Sequence, residues 1–140
     1  MAVPNQSKVN SKAIYFHYVL SNKQTSTGIV QFNHLLSTSS ENGYDPSSGK
    51  FIVPKDGVYY FSLQYYVSSS PSSGSYSTIY VDGKAKSRTT SNTGSQMNMA
   101  CSLTINLQKN QEVYVKLERG YMYGGGSGDP LTSFQGFKIA

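Results

Sequence analysis

Apolar side chains recur at every second position through much of this 140-residue chain, and this period constrains the fold more than any other feature. The clearest run spans residues 59 to 67, where aromatic and aliphatic residues alternate with Ser62 and Gln64. A period of two is typical of a half-buried β-strand, because successive side chains of a strand point to opposite faces. No segment has apolar residues spaced by three and four over several turns, so the sequence predicts essentially no helix.

Shorter alternating runs predict further strands at residues 14–20, 30–32, 76–83, 103–107, 113–117 and 137–139. Turn-forming pairs such as Asn42-Gly43, Asp82-Gly83 and Lys109-Asn110 separate these runs. Short strands punctuated this regularly indicate an all-β sandwich or jelly roll. The side chains expected between the sheets are Phe51, Tyr59, Phe61, Leu63, Ile105, Val115 and Phe137.

The length fits one domain. Residues 1–12 are polar and carry a glycosylation sequon at Asn5, so we expect a flexible N-terminal lead-in before a globular domain at 13–140. The polar segments 68–75 and 120–130 are expected to be surface loops of that domain, the glycine-rich part of the second being flexible. No apolar run reaches the ~20 residues that cross a bilayer, so no membrane insertion is expected.

The inventory of reactive side chains argues against an enzyme. His17 and His34 are the only histidines and both lie inside strand patterns, while Cys101, the only cysteine, is expected to be a buried and inert thiol. No nucleophile motif accompanies them. Twelve basic residues against seven acidic ones give a net charge of +5, but the basic residues are scattered along the chain, so no nucleic-acid partner is expected.

The most specific motif lies between residues 43 and 61. It reads Gly-Tyr-Asp-Pro-Ser-Ser-Gly-Lys-Phe at 43–51 and continues with Pro54, Gly57 and Val-Tyr-Tyr-Phe at 58–61. This segment resembles the signature of complement C1q globular domains. Val-Gln-Phe-Asn-His at 30–34, and Phe134, Gly136 and Phe137, fall in the family's order, so the resemblance covers about residues 13 to 140. Departures occur at Asn110-Gln111 and in the glycine-rich insertion near residue 124.

The resemblance implies a ten-stranded jelly-roll β-sandwich of two antiparallel sheets that packs as a homotrimer. It also implies a secreted, extracellular, non-enzymatic protein, closest in type to the stalkless C1q-domain lectins of invertebrates. Some members of the family hold calcium near the trimer axis. Asp45, Asp82 and Asp129 are isolated in the sequence, so calcium stays open and no other cofactor is expected.

Aromatic residues also occur on the phase of the 58–67 strand that faces away from the core. Tyr60 and Tyr66 expose more aromatic surface than a monomer usually leaves in water. We therefore expect them, together with Tyr15 and His17, to lie at the trimer interface.

Ligand binding is expected at the loops. In a jelly roll successive loops alternate between ends, which predicts that 22–28, 68–75, 92–97 and 120–130 meet at one pole. Hydroxyl, amide and tyrosine side chains dominate there and suit the groups of a sugar. The candidate ligand-binding residues are Arg119, Tyr121, Tyr123 and Asp129, with Arg119 able to fork onto a carboxylate such as that of sialic acid.

Three functions are compatible with the sequence. The first is a lectin of innate immunity, a pattern-recognition molecule that binds sialylated or microbial glycans through the pole of a homotrimer. The second is a trimeric signalling or adhesion ligand that binds a protein receptor. The third is a structural surface protein without a specific ligand.

Overall fold

The computed structural model describes residues 13–67, 74–92, 96–126 and 128–140. Within these ranges eleven strands form two antiparallel sheets, and no helix occurs. The predicted lead-in at 1–12 with its sequon, and residues 68–73, 93–95 and 127 of the predicted loops, lie outside the described residues.

The strands are β1 (Tyr15–Val19), β2 (Gly28–Ile29), β3 (His34–Thr38), β4 (Tyr44–Asp45), β5 (Lys50–Ile52), β6 (Gly57–Val67), β7 (Tyr76–Val81), β8 (Lys84–Thr90), β9 (Met97–Leu107), β10 (Glu112–Arg119) and β11 (Ser133–Lys138). The five-stranded sheet has the order β3-β1-β11-β6-β9. The six-stranded sheet has the order β4-β5-β10-β7-β8, with β2 also paired to β10. The jelly-roll sandwich expected from the sequence is confirmed, with two of its eleven strands only two residues long.

An aromatic core fills the space between the sheets. The ring centroid of Phe16, on β1, lies 5.1 Å from that of Phe51 and 5.2 Å from that of Phe134. Five of the predicted core side chains are buried as expected, namely Phe51, Tyr59, Phe61, Leu63 and Val115. Alternation along β6 and β10, together with the motif that contains Phe51, therefore identified these inward faces correctly.

Phe137 is an error of prediction, since 44% of its surface is exposed. The cause is Gly136, which occupies the inward phase of β11. A Cβ atom at Gly136 would come within 2.7 Å of the Phe16 ring, so this position has no room for a larger side chain. Phe137 consequently points outward, where its ring lies 5.4 Å from that of Tyr60. Ile105, also predicted to be core, is only partly buried against the core cluster.

The predicted strand at residues 30–32 is also wrong, although Val30 and Phe32 are completely buried. The chain crosses here from β2, in the six-stranded sheet, to β3, in the five-stranded sheet. The Val30 amide donates to the Val115 carbonyl at 2.9 Å, and the Phe32 amide donates to the Tyr44 hydroxyl at 2.9 Å. Alternation in this segment thus reflects burial without pairing into a ladder.

Charge is divided unequally between the sheets. The five-stranded sheet has a single Asp, Glu, Lys or Arg in its strands, Lys138. The strands of the six-stranded sheet carry six basic residues and three acidic ones, which are Lys50, Lys84, Lys86, Arg88, Lys116 and Arg119, and Asp45, Glu112 and Glu118. Six of the twelve basic residues of the chain therefore lie in the strands of one sheet.

No helix long and apolar enough to cross a membrane occurs in the part of the chain that the structure describes.

Candidate functional site

The loops predicted to share one end of the sandwich do so wherever the structure describes them. Gln24 and Met122 exchange two backbone hydrogen bonds of 2.8 and 2.9 Å, which join the first loop to the last. A Cβ atom on Gly120 would lie 2.3 Å from the Gly74 carbonyl oxygen, so these backbones touch. The Ser91 amide donates to the Ser75 carbonyl at 2.8 Å. We call this end, residues 21–28, 74–75, 91–92, 120–126 and 128–130, the pole.

A cleft of about 530 Å³ opens at the pole between residues 21–23 and 123–126, with Asp129 at its edge. The Gly125 and Gly126 amides donate to the carbonyls of Leu20 and Ser21. These bonds anchor the glycine-rich segment that its composition predicts to be a flexible loop. A Cβ atom on Gly124 would lie 2.4 Å from the Asn22 backbone, so glycine permits this close approach.

Two of the predicted ligand-binding residues, Tyr123 and Asp129, line this cleft. Tyr123 is 37% exposed, and its ring packs edge-on against Tyr66 with centroids 5.7 Å apart. Its amide also donates to the Tyr66 carbonyl at 3.0 Å, which fixes the backbone of the residue. The ring is thus held in place while part of its surface remains accessible.

Lys23 was missed by the sequence analysis. It lines the cleft, and its ammonium lies 4.6 Å from the centroid of the Tyr121 ring, a third predicted site residue. A second depression of about 500 Å³ shares Asn22 and Lys23 with the cleft and is lined by the amides and hydroxyls of residues 24–27. Loop alternation predicts that these two loops share a pole, but the long-range pairing of Gln24 with Met122 is what brings this lysine onto the Tyr121 ring.

Arg119, the fourth predicted residue, does not line the cleft. An irregularity in the pairing of β10 with β7 falls between Leu117 and Arg119, so Glu118 and Arg119 both contact outward-facing side chains of β7. The Arg119 guanidinium lies over the Tyr76 ring, 5.6 Å from its centroid. The structure therefore divides the predicted site into the cleft and a separate group on the outer face of the six-stranded sheet.

That second group, the arginine cluster, consists of Tyr76, Arg88, Glu118 and Arg119. Arg88, on β8, lies over the same Tyr76 ring at 4.7 Å and contacts the Glu118 carboxylate at 3.5 Å. Burial alone would raise the pKa of Glu118, but hydrogen bonds from Tyr80 and Thr78 and the charge of Arg88 outweigh it and lower that pKa. Glu118 is thus an anchored carboxylate that positions Arg88.

The residues predicted at the trimer interface all have outward positions on the five-stranded sheet. Phe137 is paired with Tyr15 on one side and with Tyr60 on the other, which makes a continuous aromatic row. His17 is opposite Gln135 in the next rung. Its Nε2 atom is buried without a hydrogen-bond partner, beside a shallow cavity of about 430 Å³. We call this surface, formed by Tyr15, His17, Tyr60, Tyr66 and Phe137, the aromatic face.

The cysteine and the aspartates considered for chemistry or metal binding have structural roles. Cys101 lies on the inner phase of β9, where burial raises the pKa of its thiol and so disfavours the reactive thiolate. Asp45 accepts hydrogen bonds from the amide and hydroxyl of Ser47, and Asp82 accepts one from the Glu112 amide. Among the residues that the structure describes, no group of three His, Cys, Asp or Glu side chains is arranged to hold a metal.

Comparison with known proteins identifies the family and supports the fold. The family model described as the C1q domain matches residues 15–139. The globular domain of a zebrafish complement 1qA protein is 20% identical, with 91% of this chain and 98% of that chain covered and a TM-score of 0.66. Murine APRIL at pH 5.0 is 14% identical, with 91% and 100% covered and a TM-score of 0.73. Eiger TNF from S. frugiperda is 9% identical, with 91% and 93% covered and a TM-score of 0.68.

Proposed function

The chain belongs to the C1q domain family, and from this premise we propose that it is a secreted, homotrimeric lectin that binds glycans in the cleft at its pole. The observation that carries the proposal is the cleft itself, where an anchored and partly exposed tyrosine stands among amide, hydroxyl, carboxylate and ammonium groups. Such a site suits recognition without chemistry, in keeping with a fold family of recognition domains.

The groups of the cleft match those of a sugar. The accessible part of Tyr123 can pack against the apolar side of a pyranose. Asp129 can accept hydrogen bonds from vicinal hydroxyls, while Asn22 can both donate and accept them. Lys23 can pair with a carboxylate, so sialylated glycans or acidic microbial glycans are the favoured ligands. A Cβ position at Gly126 would face open space, so a sugar ring can approach the backbone there.

The aromatic face supports assembly into a homotrimer. Its strands carry almost no charge, and charge depletion is typical of the buried centre of a protein interface. Phe137 and Tyr60 form an exposed aromatic contact at its middle. A trimer would place three weak cleft sites on one particle, so that avidity would compensate for a low affinity per site.

A glycan array on the purified protein tests this function, with sialylated, neutral and microbial glycans compared under the same conditions. For a glycan that binds, we expect Tyr123→Ala to weaken the affinity per site by about 1–3 kcal/mol, or roughly 5- to 150-fold, because the stacking surface is lost. Isothermal titration with the free sugar measures this change without avidity.

Tyr114→Ala is the matched control, since it removes a tyrosine from the outer face of the six-stranded sheet, away from the cleft. Its affinity for the sugar should equal that of the wild type. If no glycan on the array binds and the protein instead captures a cell-surface protein receptor, the signalling or adhesion ligand would be supported and the lectin would be rejected. If Tyr123→Ala binds the sugar with wild-type affinity, the binding site lies outside the cleft.

Acidification should destabilise the assembled protein through His17. Burial lowers the pKa of His17 from its ordinary value of 6.5, so the folded state favours the neutral imidazole. The stability that this group contributes is present above about pH 6.5 and is lost as the pH falls through the lowered folded pKa. Melting temperatures measured from about pH 7.5 to pH 5 should therefore decrease for the wild type.

His17→Gln should abolish most of this decrease, whereas His34→Gln should retain it because His34 does not line the cavity beside His17. The titratable neighbours of His17 in that cavity are Tyr15 and Lys138, and neither is a carboxylate. Asp45, Asp82 and Glu118 have lowered pKa values and affect stability only below their ordinary values of 3.8 to 4.5. An equal decrease in His17→Gln would contradict the assignment.

A further inference from the structure

Two arginines on different strands converge on one tyrosine ring. Tyr76 lies on β7, between β10, which carries Arg119, and β8, which carries Arg88. The two guanidinium carbons are 5.6 and 4.7 Å from the ring centroid, so they lie within about 10 Å of each other. Contact with the ring limits the rotamers of both side chains and so reduces the entropy lost when they bind a ligand.

The charge of this surface is only partly neutralised. Glu118 contacts Arg88 and accepts hydrogen bonds from Thr78 and Tyr80, so the hydrogen-bonding capacity of its carboxylate is used within the sheet. Arg119 forms no ion pair, although the structure describes all seven Asp and Glu residues of the chain. Lys116 stands opposite Thr78 on the same face. One anchored carboxylate thus faces three cationic groups.

Aromatic rings and cations continue across the sheet. The rings of Tyr80 and Tyr114 stack with centroids 5.5 Å apart, and the ammonium of Lys50 lies 5.6 Å from the centroid of Tyr114. The Lys50 ammonium is paired with the Glu112 carboxylate at 2.9 Å, so the excess positive charge of this face lies around Arg88, Arg119 and Lys116, and the tyrosines lie between that group and the Lys50–Glu112 pair. The aromatic face belongs to the other sheet, so assembly through it would leave this surface directed outward.

From this arrangement we propose that the outer face of the six-stranded sheet binds an anionic polysaccharide, with Arg88 and Arg119 holding its sulfate or carboxylate groups. Guanidinium forks match both kinds of anion in bidentate geometry. The partly exposed tyrosines of this face suit the sugar rings between successive anions. The surface is an open sheet face whose charge is complementary to such a chain. This site is distinct from the cleft, and its ligand is recognised by repeated negative charge.

The test measures binding of the full-length protein to heparin, which carries sulfate and carboxylate groups, and to hyaluronan, which carries carboxylates alone. The wild type should bind heparin with an affinity that decreases as salt is added. Arg88→Gln combined with Arg119→Gln should weaken that binding by about tenfold or more, because two charge-assisted contacts are lost. Binding to heparin alone identifies sulfate as the recognised group, and binding to both shows that a carboxylate suffices.

Lys55→Gln combined with Lys109→Gln is the matched control, since it removes the same charge from exposed side chains at the end of the sandwich opposite the pole. This variant should bind heparin within about twofold of the wild type. Arg88→Lys combined with Arg119→Lys keeps the charge but removes the forks and should give an intermediate affinity. Arg119→Gln alone, which disturbs no ion pair, should weaken binding even if the Arg88 variants fold poorly.

Several results would overturn the proposal. These are failure of the wild type to bind heparin in low salt, equal losses in the arginine and lysine variants, and equally tight binding of a DNA duplex, which would indicate attraction to any polyanion. Tyr123→Ala separates this site from the cleft. It should lose the array glycan and keep heparin, whereas the arginine variant should lose heparin and keep the array glycan.

Discussion

Phe61→Ala should destabilise the domain by about 3–5 kcal/mol, a large fraction of the stability of a typical domain. The Phe61 side chain is completely buried at the centre of β6, and its ring centroid lies 5.5 Å from that of Phe51 and 6.0 Å from that of Phe134. Both sheets contribute to this cluster, so truncation leaves a cavity that neither can close alone. Chemical denaturation followed by circular dichroism measures the loss.

Leu36→Ala provides the control, because Leu36 is 41% exposed on β3 and its truncation removes little buried surface. Its free energy of unfolding should lie within about 0.5 kcal/mol of the wild type. Wild-type stability in Phe61→Ala would mean that β6 has the opposite register.

Tyr60→Asp combined with Phe137→Asp should convert the proposed homotrimer into monomers. The two rings are in contact at the centre of the aromatic face, and the adjoining strands offer a single charged residue, Lys138. In an assembled trimer the double variant would bury two carboxylates per subunit without an adequate partner, at several kcal/mol each. The dissociation constant should increase by at least about a hundredfold. Light scattering at micromolar concentration should give the mass of one chain, against three for the wild type.

Ile52→Asp is the control for assembly, since Ile52 is 36% exposed on β5 of the other sheet. It introduces the same charge on the opposite side of the sandwich and should remain trimeric. If the double variant remains trimeric, or if the wild type is monomeric, the aromatic face is not the trimer interface.

Much of the fold could be predicted from the sequence, because strand alternation and turn chemistry are local properties. Gly43 and Gly49 of the motif have φ values of 77° and 76°, the left-handed conformation that glycine supplies at turns. At Gly49 a Cβ atom would also lie 2.4 Å from the Val30 carbonyl oxygen, so the residue serves the turn and the close approach together. Five of the eleven strands gave no such signal. β2, β4 and β5 have only two or three residues, too few to show a period, and β3 and β8 alternate too weakly or are too polar to stand out.

The candidate site could be predicted only in part. Loop alternation correctly brought residues 22–28 and 120–130 to one pole, and Tyr123 and Asp129 line the cleft there. Lys23 was not singled out, because placing two loops at one pole does not say which side chain of the first contacts Tyr121 of the second. Arg119 was assigned to the same loop by proximity in sequence, but the irregularity beside Glu118 turns it onto the sheet face.

The sequence by itself determined the all-β class, the turns of the C1q signature and most of the inward faces, since each follows from neighbouring residues. Tertiary structure decided which way Phe137 points, because only the rings of Phe16 and Phe61 exclude a side chain at Gly136. It also decided where the charge lies. Arg88 and Arg119 meet on Tyr76 because β7 pairs with β8 on one side and with the distant β10 on the other. Such pairing is set by the packing of two whole sheets, which no local pattern records.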